Sequence, residues 1–285
     1  MDVEKGKNQL YTNSLNYEEE TISKAGYCYI FFSSNGLYAE NSYEEFEKTM
    51  LKDDRYEWKS IAKSIKKRRN VGKIIYVRDI YKKFYMYGIN ANCSTVEDVC
   101  TLLKQKTEGY SVITAGISSG GYMAVVAGCK LNAKRVFCIS GQFSLEHRIS
   151  ADDLLLFRKI NKNYTNVVEL VANSKNVPVY YFVPINCEHD RTQYELVKNL
   201  ENVRCFLFPD KVHAATVYPF NFPDLLYLSA VRLDKLALIY QGKMINKKVF
   251  LLRTMSLYGL LEFIKRACAS GFRIWGMKES WDVKR

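Results

Sequence analysis

The sequence predicts an α/β protein: a doubly wound, mostly parallel sheet with helices on both faces. Three observations carry this reading. Short runs rich in β-branched and aromatic residues recur along the chain, stretches of helical periodicity separate them, and the runs are almost continuously apolar. A strand covered on both faces needs an unbroken apolar run, and strand–helix alternation makes neighbouring strands parallel through right-handed crossovers.

The expected strands lie at residues 27–33, 73–77, 111–115, 135–139, 177–183 and 203–208. Residues 43–67, 94–106, 121–130, 152–173 and 192–201 read as the helices between them. Segment 152–173 falls where this architecture inserts a cap over its site, and the sequence leaves open whether it forms a lid. No internal repeat or Pro/Ser-rich linker interrupts the chain. A single domain over 1–285 is therefore expected, with a core at about 25–224 and a basic, partly helical C-terminal extension at 225–285. Within that extension, residues 248–268 set Leu257, Leu260, Leu261, Ile264, Ala267 and Cys268 on one side of a helix and Arg253, Thr254, Glu262, Lys265 and Arg266 on another. Such a helix suits packing on the sheet. With Trp275 and Trp281 nearby, it also suits docking on anionic lipid or a partner enzyme.

Composition narrows the class. A chain of 285 residues, 48% hydrophobic and 25% charged, can bury a sizeable core and is neither disordered nor a disulfide-stapled miniprotein. It has no apolar stretch of membrane-spanning length, and the first 25 residues lack the apolar region of a secretory signal. The eight cysteines are irregularly spaced with no CxxC pair, which fits reduced, mostly buried thiols. A cytoplasmic protein is expected, with a peripheral position at the inner membrane face as the variant. The net charge of +12 is uneven, because residues 59–83 carry ten Lys/Arg against one acid and residues 225–285 carry twelve against four. Such surface is either a solvated lysine-rich face or a field that attracts acidic sugars, anionic membrane or a biosynthetic partner. Zinc-finger spacing, RNP-like stretches and basic-zipper heptads are all missing, which sets nucleic acid aside.

In such sheets the chemistry sits in loops beyond the carboxyl ends of the strands. After the run 111–115 comes Gly116-Ile117-Ser118-Ser119-Gly120-Gly121, a G-x-S-x-G pattern between a strand and a helix. A turn this tight demands small flanking residues, Gly116 and Gly120, and would expose the Ser118 hydroxyl at a helix start. The bland alternative is a glycine-rich turn that binds phosphate through its amides. A serine needs a base, and of His147, His189 and His213 the last follows the final core strand. The base needs a carboxylate to orient it. Asp190, after the run 177–183, is the first choice; Glu188 is the reserve and Asp210 a further candidate. An oxyanion hole would take the Ser119 amide and donors from Ser34, Asn35 and Gly36, the turn after the first run. The alternatives are a helix N-cap for Asp190 and a plain surface turn for residues 34–36.

With Gly116–Gly121 after its strand and Asp190 and His213 following in order, the sequence resembles the α/β-hydrolase superfamily over roughly residues 25–224. A second segment, residues 76–88 (YVRDIYKKFYMYG), is similar to one in a bacterial α/β-hydrolase group found with surface-polysaccharide biosynthesis proteins. Arg78, Asp79, Phe84, Tyr85 and Gly88 match it, and Phe84 stands where that group usually has tryptophan. The superfamily resemblance implies serine acyl chemistry on an ester substrate through an acyl-enzyme, with no metal or organic cofactor. The subgroup resemblance adds acylated carbohydrate as substrate. An O-acyltransferase of surface-polysaccharide biosynthesis would use the same residues. A non-catalytic scaffold binding anionic partners would have no need of Ser118, Asp190 and His213 together.

Overall fold

Side-chain alternation along the strands decides the architecture. In β2 (Tyr27–Phe32), Cys28, Ile30 and Phe32 join one buried cluster while Tyr29 and Phe31 join another on the opposite face. Both faces are therefore dry, as the continuous apolar runs require. The structure is a computed structural model describing residues 2–40, 42–146, 148–217, 221–257, 259–261 and 264. The other strands are β1 (Tyr17–Thr21), β3 (Val71–Val77), β4 (Ser111–Ile117), β5 (Arg135–Ile139), β6 (Val179–Pro184) and β7 (Val203–Phe208). They form one sheet in the order β1-β3-β2-β4-β5-β6-β7, with β1 antiparallel and every other pairing parallel.

Helices α1 (Val3–Asn13), α2 (Tyr43–Phe46), α3 (Lys59–Lys66), α4 (Val96–Lys106), α5 (Ser119–Lys130), α6 (Ala151–Ile160), α7 (Val168–Asn173) and α8 (Glu188–Val197) precede the last strand. After it come α9 (Phe222–Tyr227), α10 (Ala230–Tyr240) and α11 (Lys247–Thr254). Helices α4, α5 and α7 bury Val99, Val125 and Val171 on one face of the sheet. On the other face α3, α9, α10 and α11 bury Ile65, Leu225, Leu233 and Phe250. Burial thus continues past residue 224, and the stretch 225–254 packs on the sheet. Leu257, Leu260, Leu261 and Ile264 are exposed. Ala267, Cys268, Trp275 and Trp281 lie outside the described residues.

Several boundaries differ from the sequence expectation, each for a local reason. The stretch 43–67 is not one helix: α2 runs into a π-helical turn (Glu47–Lys52), and a break follows before α3. Arg78, 1% exposed, reaches into that break, donating to the Arg55 carbonyl at 3.1 Å and pairing with Asp54 at 2.7 Å. Asp54 itself adopts a left-handed φ of 42°. Segment 152–173 divides into α6 and α7 at Asn161, whose buried side chain bonds the Val96 amide and the Met86 carbonyl. Strand β1 is unexpected because its sequence, YEEET, has no apolar alternation.

Its glutamates explain the basic segment. Lys59 pairs with Glu18, Lys66 with Glu20 and Lys73 with Glu19, while Arg68 pairs with Asp224 and Lys83 with Asp153. Adding Arg78 with Asp54 and Lys82 with Glu40, seven of the ten cations at 59–83 face carboxylates from elsewhere in the chain. The exposed pairs among these contribute little stability, but together the seven cancel much of the local field. Seven cysteines are described, all free and five of them buried. Among the described residues no helix is long and apolar enough to cross a membrane.

The segment after β3 is organised by one carboxylate. Asp79 accepts the amides of Tyr81, Lys83 and Tyr85 at 3.1, 2.8 and 2.8 Å, closing a turn in which Lys82, Phe84 and Tyr85 have positive φ. Burial pushes the Asp79 carboxyl up to about 6, against the pull of those amides. A raised folded-state pKa contributes stability below the unfolded value, and that contribution is lost as pH rises through the folded one. Wild type should therefore lose stability relative to Asp79→Asn as pH climbs from 3.8 to about 6, read by urea unfolding at each pH. Asp79→Ala should cost about 3 kcal/mol in the same measurement, because three amides lose their acceptor.

Candidate active site

Strand β4 turns into α5 at Ser118, which has φ 53° and ψ −122°, a conformation that a side chain adopts only under constraint. The Ser118 amide donates to the Ile139 carbonyl of β5 at 2.9 Å, and its own carbonyl accepts from Tyr122 at 3.0 Å. A Cβ on Gly116 would stand 2.0 Å from the Gly120 carbonyl oxygen. One on Gly120 would stand 2.2 Å from the Phe32 carbonyl oxygen at the end of β2. Backbone meets backbone at both places, so neither side can give way. The turn lifts the Ser118 hydroxyl to the carboxyl edge of the sheet.

Two loops from farther along the chain arrive at that hydroxyl. His213, in the loop after β7, sets Nε2 2.9 Å from Ser118 Oγ. Its Nδ1 lies 2.8 Å and 3.1 Å from the two oxygens of Asp190, which is fully buried. Asp190 sits within the first turn of α8, not ahead of the helix as the sequence suggested, because α8 begins at Glu188. Of the other acids considered, Asp210 pairs with Lys247 at 2.9 Å, and Glu188 is exposed. The His213 loop is fastened by Ser140, the residue after β5, whose Oγ accepts the Ala214 amide at 3.1 Å.

The expected oxyanion residues divide. Ser119 begins α5, where first-turn amides have no acceptor within the helix, and its Oγ donates to Asn35 Oδ1 at 2.8 Å. Ser34 and Gly36 spend their donors within the loop. The Ser34 amide donates to Glu57 at 2.5 Å and its hydroxyl to the same carboxylate at 2.9 Å. The Gly36 amide donates to Ser34 Oγ at 2.9 Å. Those donors are committed to holding the loop, which leaves Asn35 as its member against the elbow. Burial pushes the Glu57 carboxyl up, opposed by the two Ser34 bonds.

Beneath this loop lies the segment 76–88. Tyr85 Oη donates to the Ser33 carbonyl at 2.8 Å, and the Tyr85 ring meets Phe32 edge-on at a centroid distance of 5.7 Å. Phe84 meets Tyr122 of α5 in the same way at 6.1 Å. Asp79, Phe84 and Tyr85 therefore brace the elbow and its facing loop from below.

Sequence reasoning missed three neighbours of the site, Ser140, Glu57 and Cys187, and set a fourth, His189, aside as the base. Ser140 was accessible to the same strand-end logic that found Ser118. Glu57 carries no local signal, since it acts across a break between helices. His189 faces His213 with ring centroids 6.0 Å apart; burial and the charge of Arg148 push its pKa down, and its Nε2 is buried without a partner. Cys187 lies beside Asp190, and burial together with that carboxylate pushes its thiol up. Among the described residues Cys187, Asp190 and His213 form the one cluster of metal-ligand type, and it coincides with the His–Asp pair already bonded together. His147 lies outside the described residues.

A serine on a positive-φ elbow after β4, an aspartate after β6 and a histidine after β7 are arranged on a sheet whose first strand alone is antiparallel. The fold is that of the α/β-hydrolases. No family model and no curated protein matches this sequence. Solved structures do resemble this chain. An α/β-hydrolase enzyme from a lagoon-sediment metagenome of Mar Chica, Morocco, aligns at 17% identity and a TM-score of 0.42, covering 74% of this chain and 92% of its own. Est1E from Butyrivibrio proteoclasticus with bound ferulic acid aligns at 12% and 0.48, covering 78% and 95%. The capsule O-acetyltransferase of Neisseria meningitidis serogroup A aligns at 13% and 0.44, covering 68% and 83%. Identities this low leave chemistry and substrate to the chain's own residues.

The elbow contacts give a direct expectation. Gly120→Ala should lower the unfolding free energy by about 2 kcal/mol or more, because its Cβ has only the β2 backbone to push against. A denaturant melt of that variant beside Gly128→Ala, whose Cβ would meet the movable Val136 side chain, separates backbone conflict from ordinary overpacking.

Proposed function

We propose that the protein is a serine-dependent acyl hydrolase acting on esters, with acylated carbohydrate as the substrate class that residues 76–88 suggest. The observation that carries this reading is the bridge made by His213, 2.9 Å from Ser118 Oγ on one side and 2.8 Å from Asp190 on the other. With Nδ1–H donated to buried Asp190, the His213 Nε2 lone pair faces the serine proton. As Oγ bonds to the ester carbon, that proton passes to Nε2 and the carbonyl electron pair moves onto oxygen. The oxyanion faces the Ser119 amide at the start of α5, where the helix dipole also favours negative charge. Collapse breaks the bond to the leaving alkoxide, which takes the proton from Nε2. Water then enters by the same steps in reverse and frees Ser118. If a sugar hydroxyl takes the place of water, the same residues perform O-acyl transfer.

The test is hydrolysis of p-nitrophenyl acetate and longer esters, together with labelling by a fluorophosphonate. Wild type should turn over and label, Ser118→Ala should do neither, and Asp190→Asn should lose about a thousandfold in kcat with its fold retained. Labelling without turnover, restored by an added sugar acceptor, would point to the transferase. Labelling that persists in Ser118→Ala would remove the serine assignment, and wild type that neither labels nor turns over would favour the scaffold.

A further inference from the structure

The end of the sheet opposite Ser118 holds a second cavity. The starts of β2, β4 and β5 border a space of about 390 Å³, in the range of small-molecule sites, walled by Tyr27, Tyr29, Arg69, Lys134, Arg135 and Ala230 among others. Ser111, also in its wall, begins the strand that ends beside the elbow, so the two sites stand ~20 Å apart along β4.

Its chemistry is one-sided. No acidic side chain lines the cavity. Arg135 is only 4% exposed; it donates to the Leu228 carbonyl and lies over the Tyr27 ring at 5.2 Å, with no ion-pair carboxylate among the described residues. A buried guanidinium without a counter-charge is costly unless something supplies one. Tyr29 is 1% exposed, and its hydroxyl lies beside the Arg135 guanidinium with no acceptor for its own proton. Burial pushes it up to about 12, so it presents a neutral O–H with a proton to donate. Helix α10, 11 residues long, starts at Ala230 in the same wall; Ser229 Oγ accepts its Arg232 amide at 3.3 Å, which leaves the Ala230 and Val231 amides and the positive end of the dipole. Arg69 and Lys134 are exposed at the cavity's edge.

We propose that this cavity binds the phosphate group of a phosphomonoester. Three cations, a buried hydroxyl donor and a helix start suit a doubly charged oxyanion better than a lone carboxylate. The volume beyond that group, faced by Tyr27 and Tyr227, accommodates an organic portion. The site is independent of the acyl chemistry and does not require it.

Calorimetric titration of the full chain at constant ionic strength tests the assignment, using inorganic phosphate, glucose 1-phosphate and, as the uncharged control, glucose. Saturable binding of both phosphates and none of glucose is expected. Arg69→Ala/Lys134→Ala should weaken it about tenfold and Tyr29→Phe about threefold or more, while Ser118→Ala should bind as wild type does. These variants leave Arg135 in place, so a folding defect at that buried residue does not confuse the result. Sedimentation with phosphatidylcholine vesicles, with and without phosphatidic acid, separates the sources. Retention on the acidic vesicles alone, lost in the same variants, would assign the phosphate to a lipid headgroup. No saturable binding to either soluble phosphate up to about 10 mM, together with no preference for phosphatidic acid, would overturn the proposal. So would binding that Tyr29→Phe and Arg69→Ala/Lys134→Ala leave unchanged.

Discussion

Three stretches of backbone in van der Waals contact hold this structure's centre. The first turn of α5 lies directly against the ends of β4 and β2, with no side chain between them at Gly116 and Gly120. That closeness forces Ser118 into a positive φ, which in turn stands its hydroxyl clear of the sheet. Helix α5 can sit so deep because its residues from Ser119 to Cys129 are all buried, and most are small. Once the elbow is fixed there, the loops after β6 and β7 need only reach the same edge of the sheet for Asp190 and His213 to meet it.

A frame of buried polar groups supports those loops. Asp79 gathers three amides, Tyr85 and Trp58 fix the carbonyls of Ser33 and Phe32, and Ser140 anchors the His213 loop. Asn16, itself at a left-handed φ of 56°, bonds Leu10, Ile89 and Arg78. Most of these bonds go to backbone of the irregular segments, which is how such segments remain ordered beside a buried sheet. The resemblance carried by residues 76–88 thus corresponds to scaffolding beneath the site, not to groups that face the serine.

Charge is organised along the strand axis. At the carboxyl edge Ser118, His213 and Asp190 meet in a hydrogen-bonded line. At the amino edge Arg135 sits buried with Arg69 and Lys134 nearby and no acid in the cavity wall. The most basic stretch of sequence, residues 59–83, is largely answered by β1 and other distant carboxylates. Among the described residues, that stretch therefore leaves fewer unanswered cations than a count along the sequence implies.

The sequence by itself determined six strands of the sheet and the elbow, and it singled out Ser118 and His213 with Asp190 as the first choice among three acids, because each follows from a short local pattern and strand order. Continuous apolar runs require burial on both faces, paired glycines require a tight turn, and strand order fixes which loops come to one edge. Only the tertiary structure decided what depends on partners distant in sequence. Strand β1 is acidic and becomes a strand because β3 pairs with it and lysines from four other places neutralise it. The 43–67 stretch breaks where Arg78 bonds the Arg55 carbonyl, and the Ser34 amide turns to Glu57, which arrives from that break. The same holds for Arg135 and Tyr29, which look like ordinary strand residues until the fold buries them together without an acid. Local patterns encode which faces must be dry and which turns must be tight; they do not encode which polar groups meet across the fold, since that is set by long-range packing.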